Sequence, residues 1–161
     1  MLGTSQMRTC LIADPSHLAR RAAGSVCGRL GFHAMEVTSS EGLKKAYRRF
    51  QPALTLVDIS VADEEIGRLI VSLRYGLGGG AGLILLTGHD VEPRLVEEAV
   101  VAGADDFMRK PMDDAGLSQK LRRLECADRV AVGQSDGWVN STRLTPLSPD
   151  HHNVIQLSAW R

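Results

Sequence analysis

The sequence has no surplus of either charge. Its 161 residues carry 19 Lys and Arg against 19 Asp and Glu, which argues against a general electrostatic grip on nucleic acid or anionic lipid. It also lacks a long apolar run. No stretch approaches the roughly 18 residues of a membrane span, and residues 1–8 lack the apolar core of a signal peptide. The expectation is a cytoplasmic chain with no direct contact to membrane or nucleic acid. Cysteine is scarce. Cys10, Cys27 and Cys126 form no CxxC pair and show no metal-ligand spacing, so they read as small buried or half-buried thiols. His151 and His152 stand together without a third ligand nearby, a poor metal site.

What the sequence does contain is an alternation of short apolar runs with helical periodicities. Residues 9–13 form an apolar run that ends at Asp14-Pro15 and reads as a buried strand. Ser16 fits a helix N-cap, Leu18, Ala22, Val26 and Leu30 follow at four-residue steps, and Gly31 closes the helix. Residues 32–37 make a weaker strand. Residues 38–41 have capping-box spacing, and Leu43, Ala46, Tyr47 and Phe50 mark an amphipathic helix. A third strand, residues 54–57, ends at Asp58. The next helix starts among Asp63, Glu64 and Glu65 and buries Ile66, Leu69, Ile70 and Leu73.

Residues 76–82 are glycine-rich. They follow a helix and precede a strand, the reverse of the order a phosphate cradle needs, so they read as a flexible connector. The fourth strand, residues 83–86, ends at Thr87. Asp90 is the expected cap of a helix that tolerates Pro93 in its first turn, buries Val91, Leu95, Ala99 and Ala102, and leaves Val101 exposed with Val96 and Val100 on its flank. The fifth strand, residues 106–109, ends at Lys110-Pro111, and a last helix carries Leu117, Leu121 and Leu124. Strands that are apolar throughout indicate a parallel sheet covered on both faces, a doubly wound α/β domain. The domain is placed at residues 1–130. Residues 131–161 read as a mostly flexible extension, whose apolar residues and two tryptophans single out 154–160 as a docking segment.

Ligands of open parallel sheets bind beyond the carboxyl ends of the strands. Four of those ends carry Asp14, Asp58, Thr87 and Lys110. Two carboxylates suit a Mg²⁺ ion, which prefers oxygen ligands. A hydroxyl and an ammonium can neutralise a transferred phosphoryl group, and a carboxylate can be the nucleophile.

The segments LIADPS, LTLVDIS, LILLTG and GADDFMRKP resemble, in order, the motifs of response-regulator receiver domains of two-component signalling and phosphorelays, across roughly residues 8–125. The resemblance implies a five-stranded parallel sheet in the flavodoxin-like order 2-1-3-4-5. It implies that Asp58 is the phosphoacceptor, that Asp14, Asp58 and the Ser60 backbone carbonyl bind Mg²⁺, and that Thr87 and Lys110 act on the phosphoryl group. It further implies a cis Lys110-Pro111 bond and a switch formed by Thr87 and Phe107. The partners it implies are a histidine kinase or phosphotransfer protein and a downstream protein target; the exposed apolar residues around Val101, and docking of segment 154–160 on a neighbouring chain, would suit a homodimer. Val101 is the expected interface residue. Such a protein is a phosphoacceptor rather than an enzyme, beyond self-phosphorylation and self-dephosphorylation.

The sequence departs from the family pattern in three places. Ala13 stands where the family has a first acidic residue. The loop after Asp58 lacks the usual Pro and Asp-Gly, and its Glu64 or Glu65 either compensates for Ala13 or caps a helix. The extension is too short and polar for a winged-helix output domain. The alternative function is a pseudo-receiver, a docking module without a phosphorylation cycle. A haloacid-dehalogenase-like phosphatase is disfavoured because Ser60 occupies the position of its general acid.

Overall fold

A computed structural model describes residues 7–76 and 80–133. The chain divides into two compact units, Met1–Lys120 and Leu121–Arg161. The described residues of the first contain five strands and four complete α-helices. They run in the order β1 (Arg8–Ala13), α1 (His17–Arg29), β2 (Phe32–Val37), α2 (Ser40–Phe50), β3 (Leu54–Asp58), α3 (Ile66–Val71), β4 (Leu83–Gly88), α4 (Pro93–Val101) and β5 (Asp106–Arg109). A fifth helix, α5 (Asp114–Gly133), starts in the first unit and continues into the second. It runs past residue 130, where the sequence reading ends the domain. The remaining extension, including both tryptophans, the adjacent histidines and segment 154–160, lies outside the described residues.

All strand pairs are parallel, in the order β2-β1-β3-β4-β5. The central strands explain the apolar runs. Every residue of β3 and β4 is buried, as it must be when helices cover both faces of a sheet. Leu54, Leu56, Ile84, Leu85 and Leu86 are among the largest fully buried side chains, joined by Leu43 and Tyr47 from α2 and Leu69, Ile70 and Leu73 from α3 and the turn after it.

Several local expectations are corrected. The buried side of α1 is Ala23, Val26 and Cys27, while Leu18 is 78% exposed. Steps of three and four select the buried stripe of a 3.6-residue helix, whereas steps of four alone drift off it. On α4 the buried residues are Val96 and Ala99; Val91 precedes the helix and Val96 is core rather than flank. Asp90 does not cap α4. It pairs with Arg109 at the surface, and the N-cap position is Glu92 without a side-chain cap bond. The helix therefore relies on Pro93, whose fixed φ suits the first turn. Ser16 and Ser39 do cap α1 and α2, accepting from the amides of Ala19 and Gly42. Cys10 and Cys27 are buried, but Cys126 is exposed.

The glycine-rich connector is pinned at its far end. After α3 the chain takes a π-helical turn, Ser72–Gly76, which sends Arg74 into the interior at 5% exposure. Its guanidinium donates to the carbonyls of Gly103 (3.0 Å), Gly80 (3.0 Å) and Gly82 (2.8 Å) and to Asp105 Oδ2 (2.7 Å). Gly82 lies so close to β3's approach that a Cβ there would sit 2.1 Å from the Pro52 carbonyl oxygen. One planar, always-charged fork thus satisfies the entrances to β4 and β5 together. Arg74→Met should destabilise the domain by about 3–5 kcal/mol in urea unfolding, because it takes the cation from Asp105 and the guanidinium's donors from three carbonyls. Arg74→Lys should recover little of the loss, since an ammonium cannot reproduce the fork. Wild-type stability in Arg74→Met would contradict this role.

Candidate functional site

Strand register sets the level at which each candidate side chain emerges. β1 pairs with β3 with Ala13 opposite Val57, so Asp14 and Asp58, the next residues on the two chains, come out side by side. Asp58 in turn pairs with Thr87 on β4. Lys110 follows β5 and is fixed by its backbone N–H, which donates to the Gly88 carbonyl over 2.8 Å. β1 and β3 are neighbours in space but not in sequence, so the crevice of an open sheet falls between them. The sheet therefore brings Asp14, Asp58, Thr87 and Lys110 to one edge. The Lys110-Pro111 bond is cis.

The two carboxylates share one cation. Lys110 Nζ donates to Oδ2 of Asp14 and to Oδ2 of Asp58. Their other oxygens are held locally. Asp14 Oδ1 accepts the Ser16 amide at 2.8 Å, and Asp58 Oδ1 accepts the Ser60 amide at 2.9 Å and the Ser60 hydroxyl. Asp14, Asp58 and Thr87 are all buried. Burial pushes the Asp58 carboxyl up, but the hydrogen bonds from Lys110 and Ser60 outweigh it and hold the group below its ordinary value. Burial likewise pushes Lys110 down, and its bonds to Asp14 and Asp58 reverse the sign and raise it. The loop bearing Asp14 is further fixed by Arg20, whose Nη1 donates to the Asp14 carbonyl at 2.8 Å and whose Nε pairs with Glu36 at 3.1 Å.

The remaining candidates sit as follows. Ala13 is buried at the end of β1. Glu64 pairs with Lys44 and Glu65 with Arg68, and no side-chain bond caps α3. Among the described residues no three His, Cys, Asp or Glu side chains cluster. Neither glutamate therefore replaces the carboxylate absent at Ala13, and neither is a side-chain cap. Phe107 is buried beside Thr87's strand, and Val101 is 79% exposed on α4. The serine contacts are what the sequence reading missed. Their signal is a repeated Asp-x-Ser, at 14–16 and 58–60, in which each aspartate accepts the amide two residues on.

The charge balance sets a pH dependence. Asp58 is lowered, so its contribution to stability is present above its unfolded pKa and fades as pH falls through the folded value. Lys110 is raised, so its contribution is present below its unfolded pKa and is lost as pH rises through the folded value. Lys110→Met should raise the Asp58 pKa, read by carbon-13 NMR of the carboxyl. The stability gap between the two proteins should be widest near neutral pH and close as acid protonates Asp58. An unmoved Asp58 titration would refute the pairing.

No family model matches the chain, and no curated protein does. Solved structures do. A response-regulator receiver domain from Bermanella marisrubri superposes with a TM-score of 0.65 at 23% identity, covering 74% of this chain and 99% of that one. The chemotaxis response regulator CheY4 of Vibrio cholerae gives 0.65 at 16% identity, over 73% and 98%. A response regulator from Thermotoga maritima gives 0.64 at 21% identity, over 73% and 97%. At these identities the likeness speaks to architecture: the chain has the fold of response-regulator receiver domains.

Proposed function

We propose that the chain is a phosphoacceptor receiver, in which Asp58 takes a phosphoryl group from a histidine kinase or phosphotransfer protein and the result is read through protein contacts. The convergence of Asp14, Asp58 and Lys110 at the carboxyl edge of the sheet carries this reading. Ser60 holds Asp58 Oδ1 through two donors, which leaves Oδ2 as the nucleophile once Lys110 transfers to the incoming phosphoryl oxygens. Oδ2 bonds to phosphorus as the bond from phosphorus to the donor nitrogen breaks. Thr87, one strand over, offers its hydroxyl to a phosphoryl oxygen. Asp14 is fixed beside the nucleophile by Ser16 and carries the charge opposite Lys110.

The residues fit Mg²⁺. Both Oδ2 atoms already converge on one cation, the Lys110 ammonium, and hard oxygen donors are what Mg²⁺ selects. Asp14, Asp58 and the Ser60 backbone carbonyl would hold it, with water completing the shell. When bound, Mg²⁺ supplies neutralising charge to the phosphoryl oxygens.

A second reading, a pseudo-receiver that docks without being phosphorylated, draws on Ala13 and on the engagement of every Asp14 and Asp58 carboxylate oxygen. Mass spectrometry after acetyl phosphate and Mg²⁺ separates the two. The first reading expects one added phosphoryl group on the wild type and none on Asp58→Ala. A wild type that stays unmodified while folded establishes the second. We assign the partner face to α4 around Val101, whose apolar side chain has no core role. Val101→Asp should weaken association by light scattering without changing the unfolding midpoint; equal association in both phosphorylation states would discard that face.

A further inference from the structure

Two thiols that phosphoryl transfer does not use face each other in the core. Cys10 lies in the middle of β1 and Cys27 in the last turn of α1, the helix packed on that strand. They are 17 residues apart in sequence, both fully buried, and their Sγ atoms are 3.4 Å apart. That is van der Waals contact between sulfurs, and closing it by roughly 1.4 Å reaches the length of a disulfide bond. Two small apolar side chains could pack in many ways; here the sulfurs touch directly and one donates to the other.

We propose that Cys10 and Cys27 form a dithiol site that a small peroxide converts to a disulfide joining β1 to α1. The two sulfurs are unequal. The hydrogen bond from Cys10 favours the Cys27 thiolate and outweighs the opposing effect of burial. Cys10 is pushed up by its bond to Cys27 and by burial. With Cys27 as the first nucleophile Cys10 is the resolving thiol, and the reverse order gives the same disulfide.

The Cys27 thiolate attacks one oxygen of hydrogen peroxide. The O–O bond breaks, the departing hydroxide takes the proton that Cys27 gave up, and Cys27 carries a sulfenic acid. The Cys10 sulfur then attacks the Cys27 sulfur. The S–O bond breaks and water leaves with the Cys10 proton as the S–S bond forms. Two thiols lose two protons and two electrons, and one peroxide becomes two waters. The oxidant class follows from burial. A fully covered sulfur is reached by a molecule of peroxide's size during a local opening, not by a bulky disulfide. The product would tie α1 to the strand that ends at Ala13, one residue before Asp14. The site does not depend on whether Asp58 is phosphorylated.

The test uses the full chain with Cys126→Ser, which removes an exposed thiol and leaves the buried pair intact. The folded protein is exposed to hydrogen peroxide, then denatured and treated with N-ethylmaleimide for intact-mass and peptide analysis. The expected product has lost two hydrogens, takes up no maleimide at Cys10 or Cys27, yields one peptide pair linked through them, and reverts with dithiothreitol. Its thermal midpoint should exceed that of the reduced protein, because the cross-link restricts the unfolded chain. Maleimide on both cysteines after peroxide overturns the proposal. So does Cys27 reaching a sulfinic acid while Cys10 remains alkylatable.

Discussion

The ammonium of Lys110 holds two buried carboxylates that would otherwise repel each other at the centre of the sheet's carboxyl edge. Its partners arrive from β1 and β3, and it arrives itself from beyond β5, so the contact reports on the order of the whole sheet. A register shift in either pairing would move a charge off this level and leave the others buried and unpaired. The cluster needs the sheet to place it, and the sheet's edge needs the ammonium to neutralise what it carries. The hydrogen bonds of Ser16 and Ser60 then divide each carboxylate into a held oxygen and one that faces Lys110. That division gives the edge a direction of attack.

Much of this was legible in the sequence because it rests on strong, local signals. Wholly apolar runs bounded by polar residues announced the strands, and covered strands imply a parallel sheet. The four candidate residues each stood one step beyond a run, so the architecture alone brings them to one edge. The resemblance in four motifs supplied the strand order, and the cis bond at Lys110-Pro111 agrees with it.

The rest depended on three-dimensional competition that spacing does not encode. Leu18 fits a four-step series yet faces outward, because the side of α1 turned to the sheet is the one that carries Ala23, Val26 and Cys27. Asp90 has the chemistry of a cap but finds Arg109 instead. Nothing in the residues around Arg74 sets it apart; only the close approach of two strand entrances shows why a guanidinium is buried there. The contact between Cys10 and Cys27 likewise arises from how α1 folds back on β1, and neither cysteine's neighbours in sequence point to it.

Ala13 is one of the places where this edge departs from the receiver motifs the sequence resembles. With no carboxylate at that position, the charge at the edge comes from Asp14, Asp58 and Lys110 together, and on the proposed reading Lys110 releases an oxygen before Asp58 reacts. The chemistry of an acyl phosphate tests this account most directly. Borohydride reduces an aspartyl phosphate to homoserine and leaves free carboxylates untouched. After acetyl phosphate and Mg²⁺, reduction and peptide sequencing should find homoserine at position 58 alone. Homoserine at position 14 or 106, or none at all in a folded protein, would contradict the assignment of Asp58 as the nucleophile.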